Sequence, residues 1–194
     1  MSDFRPRLAE GGSEPWPPAG NDANDPPEPN WQRTCFYSSP IGDVGTEERR
    51  HSDGMRDSLV KPAIELLGSA LTVTRSDELP SSIITEDIFK HVFCARLLVA
   101  DLSFHNPSVL HEVGLRHASG HPCVLITREE DDIPANLRDV RIIKVNTSGP
   151  WGFMEEIEAR RGELAEYARW VLSPQGAASS PVQKLFPDYR KFMG

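Results

Sequence analysis

Three cysteines in 194 residues are too few, and odd in number, for a disulfide framework. Cys35, Cys94 and Cys123 each lie in an apolar segment, which fits reduced core thiols in a cytoplasmic setting. Long hydrophobic runs are missing as well. None reaches the roughly 18 residues of a membrane span, and no apolar signal segment follows Met1. No membrane partner is therefore expected. Basic charge is also in short supply, with 21 Lys and Arg against 29 Asp and Glu and a net charge of −8. That balance argues against electrostatically driven binding to nucleic acid.

Several functional signatures are lacking too. There is no Walker lysine, no G-x-G-x-x-G and no G-x-S-x-G, so neither a P-loop, a dinucleotide fingerprint nor a serine-hydrolase elbow is present. His105, His111, His117 and His121 invite a metal reading. His117 and His121 are four apart, but Gly120-His121-Pro122 ends the helix between them, and no Cys or carboxylate completes a zinc spacing. No metal site is expected.

What is present falls into three parts. Residues 1–30 hold seven prolines, only seven apolar residues, and six acidic against two basic side chains. Such a segment cannot bury enough apolar surface to offset its ordering entropy, so a disordered tail is expected there. Residues 31–172 read as one domain, with Trp16 and Trp31 as possible pins for the tail. Residues 173–194, with Pro174, Pro181 and Pro187, read as an irregular tail in which Phe186, Tyr189 and Phe192 are available for docking on the domain or on a second subunit. A homo-oligomer is left open.

Within the domain, strand and helix signals alternate. Strands are predicted at Thr34–Ser39, Leu71–Thr74, Leu97–Ala100, Cys123–Thr127 and Arg141–Val145. The third is a continuous apolar run, the mark of a strand covered on both faces. Met55, Leu59, Ala63, Leu66 and Leu67 keep helical spacing up to Gly68, and Pro62 should kink or divide that helix. A second helix carries Ile84, Ile88, Val92 and Ala95, with Ser81 or Ser82 as its N-cap. Asn106-Pro107 starts a third, ending at Ser119-Gly120, and Phe153–Leu172 is a charged surface helix. The expected fold is α/β, a flavodoxin-like doubly wound five-stranded parallel sheet, whose ligands bind beyond the carboxyl ends of the strands.

Three segments should converge there. The loop after the first strand, Ser38 to Thr46, offers hydroxyls and glycines and leads into Glu47-Glu48-Arg49-Arg50-His51, which reads either as a solvated helix start or as a contact for a phosphorylated ligand. Asp101 ends the third strand, and Glu112 borders the apolar stripe of the helix that follows. Glu86 and Asp87 lie on the preceding helix, where a first-turn carboxylate is ordinarily solvated.

This combination resembles the nucleoside 2-deoxyribosyltransferase superfamily and its nucleotide N-glycosidase branch. The likeness spans about residues 33–146 and rests on Cys35-Phe36-Tyr37-Ser38-Ser39-Pro40, the helix containing Asp87, Val99-Ala100-Asp101, and Asn106–Gly114 with His117–Pro122 after it. It implies a hydrolase that cleaves the N-glycosidic bond of a nucleotide or nucleoside, with Glu112 as nucleophile and Asp87 and Asp101 assisting the leaving base. It further implies ligand contacts from Phe36, where the family has tyrosine, and from Ser39, Gly42, Asn106 and Ser108, with Arg49 and Arg50 toward a 5′-phosphate. No metal and no dissociable cofactor are required. A more distant likeness to Toll/interleukin-receptor-like domains keeps Glu112 in its role with NAD as substrate. A nucleotide-sensing module without turnover is the non-enzymatic alternative.

Overall fold

A computed structural model describes residues 29–79, 84–177 and 180–189. Of the tail expected over residues 1–30, residues 1–28 lie outside them, as do the Ser81 or Ser82 cap and Phe192. Five strands, β1 (Thr34–Ser38), β2 (Thr72–Arg75), β3 (Leu97–Asp101), β4 (Cys123–Arg128) and β5 (Ile142–Val145), form one all-parallel sheet in the order β2-β1-β3-β4-β5. This is the flavodoxin-like order. The chain reverses its direction of travel across the sheet between β1 and β3, whose ends are Ser38 and Asp101.

Side-chain parity divides the core in two. Cys35, Tyr37, Leu97, Val99, Val124 and Ile126 face α1 (Glu47–Met55), α2 (Lys61–Glu65) and α5 (Pro150–Val171). Phe36, Leu98, Ala100 and Leu125 face α3 (Ile84–Cys94) and α4 (Pro107–Ser119). Every residue of β1 and β3 is buried, as a strand covered on both faces requires. Cys35 and Cys123 belong to this interior, where burial pushes both thiols up to about 12 and leaves them unreactive as nucleophiles. Arg116, fully buried in the last turns of α4, donates to the carbonyls of Val92, Ala95 and Pro122 and so ties α3, α4 and the start of β4 together.

The first helix starts earlier than its apolar stripe suggests. Thr46 caps it, its hydroxyl accepting from Arg49 N at 3.2 Å, and Glu47 and Glu48 occupy the first turn. Helical hydrogen bonding then continues through a wider π-type turn, Arg56–Val60, into α2. Pro62 is the physical reason for irregularity here: it has no N–H for the Ser58 carbonyl one turn back. That carbonyl accepts instead from Arg161 Nε of α5 at 2.6 Å, and Arg169 donates to Leu66 O at the end of α2. Gly68 follows at φ 63°, as a helix stop should.

In the tail expected over residues 173–194, the described residues are less irregular than expected. Two short helices, α6 (Pro174–Ala177) and α7 (Pro181–Leu185), follow α5. Ser180 Oγ donates to His117 O at 2.6 Å, and Tyr189 is buried while Phe186 is half-exposed. Trp31 is pinned by Arg96 N donating to its carbonyl and by edge contact of its ring with His91, 5.0 Å between centroids. Among the described residues no helix is long and apolar enough to cross a membrane.

Candidate functional site

The carboxyl ends of β1 and β3 carry different chemistry to the two faces of the sheet. On the α3/α4 face, Asn106 caps α4, its side-chain oxygen accepting from Ser108 N and Val109 N at 3.0 and 3.3 Å, and Pro107 takes the first helical position. Glu112 stands in the second turn, half-buried beside Val113 of the core. Burial raises its carboxyl above the ordinary 4.5, against the lowering pull of the Ser38 hydroxyl and of His111. Ser38 is 3% exposed, and its Oγ is buried without a hydrogen bond of normal geometry, although it lies close enough to act on Glu112.

The neighbouring helix contributes Asp87, which is half-buried. His91 Nδ1 donates to Asp87 O at 2.7 Å, and burial lowers the His91 pKa against the opposing pull of the Asp87 backbone and charge. Phe89 and His111 meet edge to face at 6.2 Å, which sets the Asp87 helix alongside the Glu112 helix. Glu86 is exposed and pairs with Lys90 at 2.9 Å, the ordinary surface arrangement. Phe36 differs from its expected part. It is fully buried and packs against the His91 ring at 5.1 Å, so it has no surface to offer a ligand. Asn106 is similarly committed to capping, whereas Ser108 is exposed on the first turn.

On the α1/α5 face Asp101 is fully buried and saturated. It accepts from Tyr37 OH at 3.1 Å, His51 Nε2 at 2.8 Å, Ser103 N at 3.1 Å and Ser103 Oγ at 2.5 Å. Its carboxylate therefore organises protein groups and leaves no oxygen for a base or sugar. Tyr37, buried beside it, has its phenol pKa pushed well up, by burial first and then by the Asp101 charge. Strand alternation is why Asp101 and Glu112, close in the chain, stand on opposite faces.

Ser39 meets Ser52 at 2.6 Å between hydroxyl oxygens, and Ser52 accepts from Arg75 at 2.8 Å. Arg75 is fully buried with Asp77 and Asp53 against its guanidinium. Arg49 joins the same network, 3.1 Å from Asp53 and 3.0 Å from Asp77, so its charge is neutralised within the protein. Arg50 makes a 2.6 Å bond to Gly45 O and has no carboxylate within 4.0 Å among the described residues. Gly42 is needed where it is: a Cβ there would lie 2.3 Å from Thr46 Oγ1, the atom that caps α1.

Sequence reasoning missed the cluster beyond β4. Arg128 grips Asp131 through two bonds, 2.9 and 2.8 Å, and its guanidinium lies 3.7 Å over the Phe104 ring. Phe104 and His105 both adopt the left-handed region, φ 60° and 51°, at a cost of about 1–3 kcal/mol each for such residues. Phe104 N donates to Asp131 Oδ2 and His105 Nε2 to Asp132 O, which hold the strained turn closed. Only the run of four acidic residues after Arg128, Glu129 to Asp132, hinted at this in the sequence. Among the described residues no three His, Cys, Asp or Glu side chains gather as a metal-binding group.

No protein-family model and no curated protein matches the chain. Among solved structures, the X-ray structure of an oxidoreductase from Corynebacterium diphtheriae is similar at a TM-score of 0.43 and 16% identity, covering 72% of this chain and 98% of that one. A likeness of that degree carries no statement about the reaction.

Proposed function

We propose that the protein hydrolyses the N-glycosidic bond of a nucleotide or nucleoside, with Glu112 as the nucleophile. The observation that supports this best is a half-buried Glu112, its carboxyl pKa raised by burial, beside the buried Ser38 hydroxyl at the point where strand order reverses. A desolvated carboxylate is attracted strongly to an anomeric carbon developing positive charge. It would add to that carbon as the C–N bond breaks and the base leaves with the bonding electrons. Water would then hydrolyse the glycosyl ester and regenerate Glu112. Asp87, on the helix packed beside α4, is the residue proposed to protonate the departing base. Ser38 and the exposed Ser108 are suited to sugar hydroxyls. Asp101, whose acceptors are all in use, positions protein groups in this scheme.

The test is base release. Wild type and Glu112→Gln are incubated with nucleosides, nucleoside 5′-monophosphates and NAD, and free base is separated by chromatography. Base released by wild type and not by Glu112→Gln supports the proposal. Nicotinamide from NAD alone would keep Glu112 in its role and move the substrate to the Toll/interleukin-receptor-like class. Base released equally by both proteins, or by neither, removes the glycosidase reading.

A further inference from the structure

A cleft of about 460 Å³ opens on the α1/α5 face, within the roughly 300–1,000 Å³ that small-molecule sites occupy. The His51 side chain, 7% exposed, lines it. Asp101 uses its oxygens only as acceptors, from a phenol, a backbone N–H and a hydroxyl, so the bond to His51 places the imidazole proton on Nε2. Nδ1 has no hydrogen-bond partner among the described residues, and the ring that carries it lines the cleft. A buried carboxylate that fixes one ring nitrogen and leaves the other to a cleft is the arrangement by which proteins orient a ligand-facing histidine.

The remaining lining sets the ligand. Arg128 is already paired, with Asp131, Glu47 and Glu130. Arg50 is not paired with any carboxylate among the described residues, and beside it Gly149 opens the 22-residue α5 without a side-chain cap. Both favour an anion. Glu130, which accepts from Thr147 Oγ1 at 3.0 Å, and Glu47 are both more than two-fifths exposed and keep acceptor capacity. They would repel a bare anion and accept from hydroxyls. The lining therefore asks for a molecule that carries an anionic group and several hydroxyls together.

We propose that this cleft is a second ligand site, taking a phosphorylated sugar, either free or as part of a nucleotide. The phosphate sits against Arg50 and the start of α5, and sugar hydroxyls donate to Glu130, Glu47 and His51 Nδ1. The proposal does not rest on the Glu112 reading, because Glu112 belongs to the other face of the sheet.

Titration calorimetry on the full chain tests it, with ribose 5-phosphate, ribose and inorganic phosphate as probes, and with adenosine 5′-monophosphate on Glu112→Gln so that turnover does not interfere. Ribose 5-phosphate is expected to bind wild type and Glu112→Gln alike, and at least tenfold tighter than ribose or phosphate. Arg50→Ala, at an exposed position, should weaken it at least tenfold, and the His51 Nδ1 resonance should move on titration. Adenosine monophosphate binding that is tighter than that of ribose 5-phosphate, and that is weakened when Arg50→Ala is added to Glu112→Gln, assigns the site to nucleotides; equal or weaker binding assigns it to free sugar phosphates. No binding to wild type, full affinity in Arg50→Ala, or loss of ribose 5-phosphate in Glu112→Gln overturns the proposal. Because base release is read separately, failure here leaves the Glu112 assignment standing, and the reverse holds.

Discussion

On the α3/α4 face the carboxylate beside the strand ends, Glu112, is half-buried and raised in pKa by burial, with only the Ser38 hydroxyl and His111 pulling the other way. On the α1/α5 face the corresponding carboxylate, Asp101, is fully buried and accepts from Tyr37, His51 and Ser103. One acid is kept short of partners and the other is supplied with every donor it can use. The difference teaches that burial alone does not mark a reactive acid. A carboxylate whose charge is fully solvated by protein donors is a structural part, and one whose desolvation is only partly compensated stores free energy a reaction can use.

Glu112→Gln and Asp101→Asn should therefore fail in different ways. Glu112→Gln is expected to lower base release by about 10³-fold or more, with ligand affinity changed by no more than about tenfold, since a nucleophile is lost while shape is kept. Steady-state rates beside calorimetry separate the two quantities. A wild-type rate in this variant would erase the contrast between the faces.

Asp101→Asn places an amide donor among donors. Urea denaturation should show a stability loss of about 3 kcal/mol, the scale for breaking a buried hydrogen-bonded pair. Glu112→Gln measured the same way should be nearly neutral. Tyr37→Phe removes one of the donors to Asp101 and should cost about 1 kcal/mol, with base release unaffected.

The smallest effect lies in pH. Because folding raises the Glu112 pKa above 4.5, the folded state holds more protons than the unfolded state just above that value. Its contribution is thus fully present below pH 4.5 and is lost as pH rises through the folded pKa. The melting temperature of Glu112→Gln relative to wild type should accordingly increase from pH 4 to pH 7. A difference that stays flat would mean that Glu112 is as well solvated as an ordinary surface carboxylate.

The sheet was legible because its strands are apolar and bounded by turn residues: Leu97 to Ala100 shows no alternation, and Asn106-Pro107 and Gly120 bracket α4 as cap, first turn and stop. Glu112 could be singled out from its border position on that helix. The start of α1 was hidden, since Glu47 to Gly54 has no apolar period and is held by the Thr46 cap and by ion pairs. The separation of Asp101 from Glu112 was hidden for a different reason. A strand's final residue turns to one face or the other by parity, and which face a given helix covers is decided by crossovers that no local pattern records. The same holds for Arg49 and Arg50, adjacent in the chain, of which one is absorbed by Asp53 and Asp77 and the other reaches the cleft.

The clasp between α5 and the first helical pair has a consequence in time. Arg161 and Arg169 each reach back 103 residues, to Ser58 and Leu66, and the eight-residue spacing on one side matches the eight-residue spacing on the other. Two parallel helices are thus keyed together in register at two turns' separation. During synthesis the chain emerges from its amino end, so the Ser58 carbonyl, orphaned by Pro62, must rely on water until α5 has left the ribosome. The first helical pair is made early and finished late, and the face that carries the cleft acquires its final shape only once α5 has been made.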